Sequence, residues 1–149
     1  MTGDPFDLTR FVAAQEGIIE QALRELRAGR KESHWMWFVF PQLDGLGHSA
    51  MAQRYAVRGV EEARAYLDHE VLGPRLLACC DALLEAGRDD PSLTALDALG
   101  PTDARKLRSS MTLFAFAADD AAPFRAVLDR YFGGDVDARS AARLRSGAT

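Results

Sequence analysis

Gly29-Arg30-Lys31-Glu32-Ser33-His34-Trp35-Met36-Trp37-Phe38-Val39-Phe40-Pro41-Gln42 is the stretch on which the reading of this chain turns. It holds both tryptophans and one of only two lysines, Lys31; the other is Lys106. The run from Trp35 to Phe40 is apolar or aromatic throughout. It is far shorter than the roughly 20 apolar residues that cross a membrane. Such a run is either a buried strand or a buried helical turn, and periodicity does not separate the two. Pro41 closes it, because the residue before a proline is pushed out of helical geometry. Packing accounts for Trp35, Phe38 and Phe40, whose rings bury a large area. Trp37 and His34 carry polar handles that need a partner when buried, and these two are candidates for a pocket wall.

Outward from this stretch, Asp44-Gly45-Leu46-Gly47-His48-Ser49 reads as a glycine-punctuated loop. Ser49 is placed to cap a helix over residues 50–55. A loop feeding a helix start can offer backbone N–H groups to an anion. On the upstream side, Gly29-Arg30-Lys31 is a turn with two adjacent cations.

Elsewhere the pattern is helical. Asp7 is placed to cap a helix over residues 8–15, with a break expected near Gln15-Glu16-Gly17. Ile18, Ile19, Ala22, Leu23 and Leu26 make one face of a helix ended by Gly29. Further helices are expected over 60–69 and up to Ala86, where Gly87 is the expected stop. Leu76, Leu77, Cys80, Leu83 and Leu84 would form the buried stripe of the second. A short helix through Leu93, Leu96 and Leu99 should break at Gly100-Pro101. Thr102 or Asp103 should cap the next, which carries Leu107, Met111 and Phe114. Pro123 opens another, and Gly133-Gly134 ends it. Asp137 should cap a last helix to Arg145, with a frayed tail over about 146–149. No stretch shows strand alternation apart from the ambiguous 35–40 run. The expectation is an all-α, compact, single-domain orthogonal bundle of about seven to nine mostly short helices over residues 1–149.

The chain has 149 residues, 48% hydrophobic and 27% charged, which is globular rather than disordered. The net charge of −4 supplies no basic field for nucleic acid. Met1-Thr2-Gly3-Asp4-Pro5 shows no basic segment followed by an apolar one, so no signal peptide, membrane span or lipid anchor is expected and the protein is read as cytoplasmic. Cys79 and Cys80 are adjacent and read as small core residues. His34, His48 and His69 are 14 and 21 residues apart, which fits no metal-binding spacing, so neither a metal nor a cofactor is expected. Gly45-Leu46-Gly47 lacks the third glycine and the strand of a dinucleotide fingerprint.

Three functional readings remain. In the first, Arg30, Lys31, His34 and Trp37 join Lys106, Arg108, Ser109 and Ser110 in a site for a small anion. Lys106, Ser109 and Ser110 lie at i, i+3 and i+4 of one helix, as Arg105, Ser109 and Thr112 also share a face. Cations satisfy phosphate or carboxylate, and an indole face can stack on a ring. The second reading is a hydrolase with His34 or His48 as base, Asp44 or Glu32 as orienting carboxylate, and Ser33, Ser49 or Ser110 as nucleophile; no Gly-x-Ser-x-Gly elbow supports it. The third is a protein-docking patch around Trp37, Phe40 and Leu46.

The block from Ala28 to Leu43 resembles the signature of a mostly bacterial family catalogued as domain of unknown function 1810 (DUF1810). Asp4-Pro5-Phe6-Asp7-Leu8-Thr9-Arg10-Phe11 is similar to it too, as are Ala52-Gln53-Arg54-Tyr55-Ala56, Glu62-Ala63-Arg64-Ala65-Tyr66-Leu67 and Val71-Leu72-Gly73-Pro74-Arg75-Leu76. So are Lys106-Leu107-Arg108-Ser109-Ser110-Met111-Thr112-Leu113-Phe114 and Phe132-Gly133-Gly134. The resemblance spans nearly the whole chain. It implies a compact all-helical domain and no established activity, so it carries no catalytic residues over. The calpastatin-like label given to some members does not fit, because calpastatin is disordered and this composition is globular.

The first reading is the one we carry forward. It expects a pocket where the segment 29–42 meets the helix over 103–117. Arg30, Lys31, Lys106 and Arg108 would meet negative charge. His34 would hydrogen-bond or transfer a proton, Trp37 would stack, and Gln42 and Ser109 would orient the ligand. It requires Lys31 and Lys106 to share one face of the fold.

Overall fold

Met36–Val39 forms a single turn of α-helix, so the ambiguous run is helical. Gln15 Nε2 reaches across to Phe38 O at 2.7 Å and holds the end of that turn. Met36, Phe38 and Val39 are all buried within it.

The computed structural model describes residues 3–146. In chain order the helices are α1 (Thr9–Gln15), α2 (Ile19–Arg27), α3 (Met36–Val39), α4 (Ala50–Arg54), α5 (Val60–Asp68), α6 (Leu72–Asp89), α7 (Ala95–Leu99), α8 (Pro101–Ala117), α9 (Ala122–Phe132) and α10 (Ala138–Ser146). The described residues contain no strand, only an isolated parallel bridge between Leu43 and Val57. The fold is all-α as expected, with ten helices among the described residues rather than seven to nine. The additional helix is α3, whose shortness hid it. No helix among the described residues is long and apolar enough to cross a membrane.

Two long helices organise the rest. α6 packs against α2, α5 and α9, while α8 packs against α5, α7, α9 and α10. A chain of tilted and edge-to-face rings crosses the core: Tyr55–Phe11 at 5.8 Å, Phe11–Tyr66 (edge-to-face) at 5.2 Å, Tyr66–Phe114 at 5.3 Å and Phe114–Phe124 at 5.9 Å between centroids. Such pairs contribute about 0.5–1.5 kcal/mol each beyond their burial. Trp35, Phe38 and Phe40 are in the core as expected, as are Cys79 and Cys80. Burial pushes the Cys79 thiol up to about 12 and raises Cys80 as well, so neither is a ready nucleophile.

Several helix ends follow the sequence. The α2 terminus has Gly29 at φ +69°, with Gly29 N–H donating to Leu26 O and Arg30 N–H to Glu25 O, both at 3.0 Å. This 5→2 and 6→1 pattern is the Schellman closure that glycine favours. Ser49 accepts from Ala52 N–H at 3.1 Å, and Asp137 accepts from Ser140 N–H at 2.9 Å.

Other ends differ. Asp4, not Asp7, receives the free amides before α1, from Leu8 at 2.8 Å and Thr9 at 2.9 Å. Asp7 itself sits at φ 51°, in the left-handed region. Gly87 does not stop α6, which runs to Asp89. A Cβ on it would lie 2.6 Å from Arg130 Nε, so this glycine makes room for a guanidinium. α7 does end at Gly100 as expected, and Pro101 opens α8, where its missing N–H costs nothing. Neither Thr102 nor Asp103 caps that helix, whose N-cap is Gly100. The short α7 is opened by a Thr94–Asp97 capping box. Leu77, expected in the buried stripe of α6, is exposed at 41%. α10 extends through Ser146, and the rest of the expected tail, residues 147–149, lies outside the described residues.

Candidate functional site

The 31–42 segment is held by one carboxylate. Glu25, on α2 and only 8% exposed, accepts from Glu32 N–H at 2.9 Å, Ser33 N–H at 3.0 Å, Ser33 Oγ at 2.7 Å and Trp35 Nε1 at 2.9 Å. Gln21 Nε2 donates to its other side at 3.0 Å. Burial by itself would raise the Glu25 pKa; the donated hydrogen bonds outweigh it and hold the carboxyl down at about 2.

Lys31 adds the second tie. Its backbone N–H donates to Ala98 O at 2.7 Å, and its ammonium pairs with Asp103 Oδ2 at 2.8 Å. That ammonium also lies 5.0 Å from the Trp35 ring centroid. The segment is thereby locked between α2 and the first turn of α8, and α3 leaves Trp37 half-buried at the surface. Lys106, one turn after Asp103, lies over that indole at 4.5 Å from its centroid. Its Nζ is 3.7 Å from Asp103 Oδ1. Lys31 and Lys106 therefore lie on one side of the fold and share the Asp103 carboxylate.

In front of Trp37 and Lys106 opens a cleft of about 370 Å³. Trp37 and Gln42 form one wall and the loop from Leu46 to Ser49 a second. Arg105, Lys106 and Ser109 of α8 face them, and Asp137 and Arg139 at the start of α10 complete the rim. The loop is clasped at its base, where Val57 N–H donates to Gln42 O at 2.8 Å and Asp44 N–H to Val57 O at 2.7 Å. Gln53 Nε2 holds His48 O at 3.0 Å. The α8–α10 seam is a hydroxyl network. Ser109 Oγ and Ser140 Oγ are 2.9 Å apart, Ser140 Oγ donates to Asp137 Oδ2 at 2.6 Å, and Asp137 N–H donates to Thr112 Oγ1 at 2.9 Å.

Four of the expected residues, Trp37, Gln42, Lys106 and Ser109, line this cleft. The other four do not. Lys31 lies behind it, committed to Asp103 with its side chain 7% exposed. Arg30 borders a shallow hollow beside α2 with Arg24 and Glu32. His34 is exposed and outside the lining. Arg108 donates to Asp135 O at 3.1 Å and lies over Phe132. Ser110 is fully buried, its Oγ without a hydrogen-bond partner among the described residues.

The groups of the hydrolase reading are scattered. Ser33 is bound to Glu25, Asp44 lines a separate 200 Å³ hollow with Arg58 and Arg143, and only His48 and Ser49 reach the cleft. The docking patch loses Phe40, which is fully buried. Sequence reasoning left out Asp137, Arg139 and Ser140 as site residues. Arg105 was signalled only by its i, i+4 relation to Ser109. A further hollow of about 310 Å³ lies between α5, α6 and the α8–α9 corner. It is rimmed by Asp68, Asp119 and Asp120, and Arg64 Nε in its lining donates to Ala117 O at 3.0 Å. Those carboxylates repel an anion there. Among the described residues no group of three or more His, Cys, Asp or Glu side chains is disposed to hold a metal ion.

Comparison with known proteins agrees with the sequence. The profile of a family described as "Protein of unknown function (DUF1810)" matches residues 5–144. The crystal structure of the conserved hypothetical protein Rv1873 from Mycobacterium tuberculosis is similar over 93% of this chain and 96% of its own, with 50% identity and a TM-score of 0.88. No curated protein matches.

Proposed function

We propose, for a chain that belongs to the DUF1810 family of proteins of unknown function, that the Trp37–Lys106 cleft binds a small anionic metabolite bearing phosphate or carboxylate. The observation that carries this reading is the cleft's charge. Arg105, Lys106 and Arg139 line it, with Lys106 over the Trp37 indole, in a protein whose net charge is −4. Asp137 is the one carboxylate of the lining, and Ser140 already donates to it. An anion about 4 Å from one such cation gains on the order of 4 kcal/mol near a protein surface, before desolvation. The cleft's size, about 370 Å³, suits a metabolite rather than a macromolecule. Stacking on Trp37 favours a ligand with a ring, and a nucleotide-derived compound is the narrower form of the proposal. The source of the similar structure, Mycobacterium tuberculosis, supports a bacterial origin. We assign the protein to the cytoplasm, where such metabolites are concentrated.

The test is a thermal-shift screen of nucleotides, sugar phosphates and small carboxylates against wild type, Lys106→Ala and Trp37→Ala. A ligand at 100 times its Kd stabilises the fold by about 2.7 kcal/mol. A hit weakened by both substitutions supports the reading. Silence across all three classes, with both variants folded, overturns it.

A further inference from the structure

We infer that the ligand of this cleft carries a hydrogen-bond donor, a hydroxyl or an amino group, besides its anionic group, and that Ser109 Oγ and Asp137 receive it; the inference rests on the anionic-site reading above.

The direction of the hydroxyl chain carries the argument. A serine hydroxyl has one proton, and an aspartate carboxylate only accepts. Ser140 Oγ gives its proton to Asp137 Oδ2 at 2.6 Å. The 2.9 Å bond between Ser109 Oγ and Ser140 Oγ must then take its proton from Ser109. Ser109 therefore turns its hydrogen into the α8–α10 seam, so that in the cleft it lines its hydroxyl can offer only lone pairs. Asp137 Oδ2 also accepts Ser140 N–H at 2.9 Å, while Oδ1 accepts none of the hydrogen bonds among the described residues.

The arrangement is held from both sides. Asp137 N–H is bound to Thr112 Oγ1 at 2.9 Å, and Thr112 Oγ1 donates back to Arg108 O at 2.8 Å. Turning the Ser109 hydroxyl outward breaks a bond that is 3% exposed on the Ser109 side and buried on the Ser140 side. The cleft thus has a cationic side, Arg105, Lys106 and Arg139, and a corner that only accepts. A bare anion satisfies the first and leaves the second facing its own negative charge. A sugar phosphate, a hydroxy acid or an amino acid satisfies both. A site built to receive a hydroxyl discriminates against the analogue that lacks it, because the acceptors stay unpaired.

Calorimetric titration of the whole protein with matched pairs tests this. The pairs are 2-phosphoglycolate against 3-phosphoglycerate and succinate against malate. The donor-bearing member of at least one pair should bind wild type about tenfold more tightly, a difference of about 1.4 kcal/mol. Ser109→Ala should reduce that preference to within about twofold, with affinity for the other member kept. Ser140→Ala frees the Ser109 proton to turn outward and should narrow the preference too. Lys106→Ala should weaken both members alike. Equal binding of both members of every pair overturns the donor inference and leaves the anionic site standing, and this comparison needs no variant. A preference that survives both serine substitutions removes Ser109 from the account. Binding by no member overturns the anionic site and the inference with it.

Discussion

Lys106 Nζ lies 4.5 Å from the centroid of the Trp37 ring, while Lys31 Nζ lies 5.0 Å from that of Trp35. Each lysine covers one of the two tryptophans, and both ammoniums share Asp103. The two pairs are nevertheless unequal. Trp35 is fully buried and Trp37 is not, and the Lys31 side chain is 7% exposed against 20% for Lys106. The first pair is structural, and the second borders the cleft.

That inequality separates two substitutions. Lys31→Ala leaves Asp103 without its 2.8 Å partner and strips cover from Trp35, so it should cost about 2 kcal/mol in urea unfolding. Lys106→Ala loses a longer, more exposed pair and should cost under about 1 kcal/mol. In ligand titration the order reverses: Lys106→Ala weakens binding strongly and Lys31→Ala little. If Lys31→Ala removed binding without changing stability, Lys31 would have to be returned to the ligand's first contacts.

Glu25 sets the acid limb of stability. Its carboxyl is held at about 2, below the ordinary 4.5, by donors that exist only in the fold. A folded-state pKa below the unfolded one stabilises the protein fully above the unfolded value. The contribution is about 3 kcal/mol at neutral pH. It should fade as pH falls from about 5 towards 2, as protons bind the unfolded chain first. Glu25→Gln should lower neutral stability by about that amount and flatten the decline between those pH values. A mutant melting curve that keeps the wild-type acid slope would mean that other carboxylates carry it.

The two preceding cases also mark what the sequence displays and what it conceals. Trp37, Gln42, Lys106 and Ser109 were legible because their blocks are locally unusual in aromatics, lysine and mid-helix serine. Lys31 looked equally available, but a charge does not announce its partner, and Asp103 comes from a distant segment. Glu25 reads as the solvent side of an amphipathic helix until the 31–35 segment folds onto it. Asp137 was legible as a cap, yet nothing local reveals that α10 docks on α8 and carries Asp137 and Arg139 to the cleft. The helical class was legible from capping and periodicity; α3 was not, since four residues are too few to show a period.

Gly73 tests the corner between α5 and α6. A Cβ there would stand 2.2 Å from the Leu67 backbone oxygen, and backbone cannot swing aside as a side chain can. Gly73→Ala should therefore cost about 3 kcal/mol or more by forcing the two helices apart. Gly17→Ala is the control. It sits at φ +75° with nothing within 4 Å, so only backbone strain opposes it, at about 1 kcal/mol. Chemical denaturation of both variants reads the contrast. Comparable losses would mean that the α5–α6 corner yields easily.

Ser110 should behave against the general trend of core substitutions. Its side chain is fully buried on α8, and its Oγ has no hydrogen-bond partner among the described residues. A buried hydroxyl left unpaired carries a desolvation cost of about 1–3 kcal/mol. Ser110→Ala removes that oxygen, keeps the Cβ, and improves helix propensity. The cavity it opens is a single atom wide, so the transfer gain should exceed the packing loss. The variant should be as stable as wild type or more stable by up to about 1 kcal/mol in urea unfolding, whereas most core substitutions destabilise. Neighbouring Ser109→Ala should go the other way, because it breaks the bond to Ser140 and leaves the Ser140 oxygen one donor short. A loss above about 1 kcal/mol in Ser110→Ala would show that this hydroxyl has a partner in solution, such as a buried water.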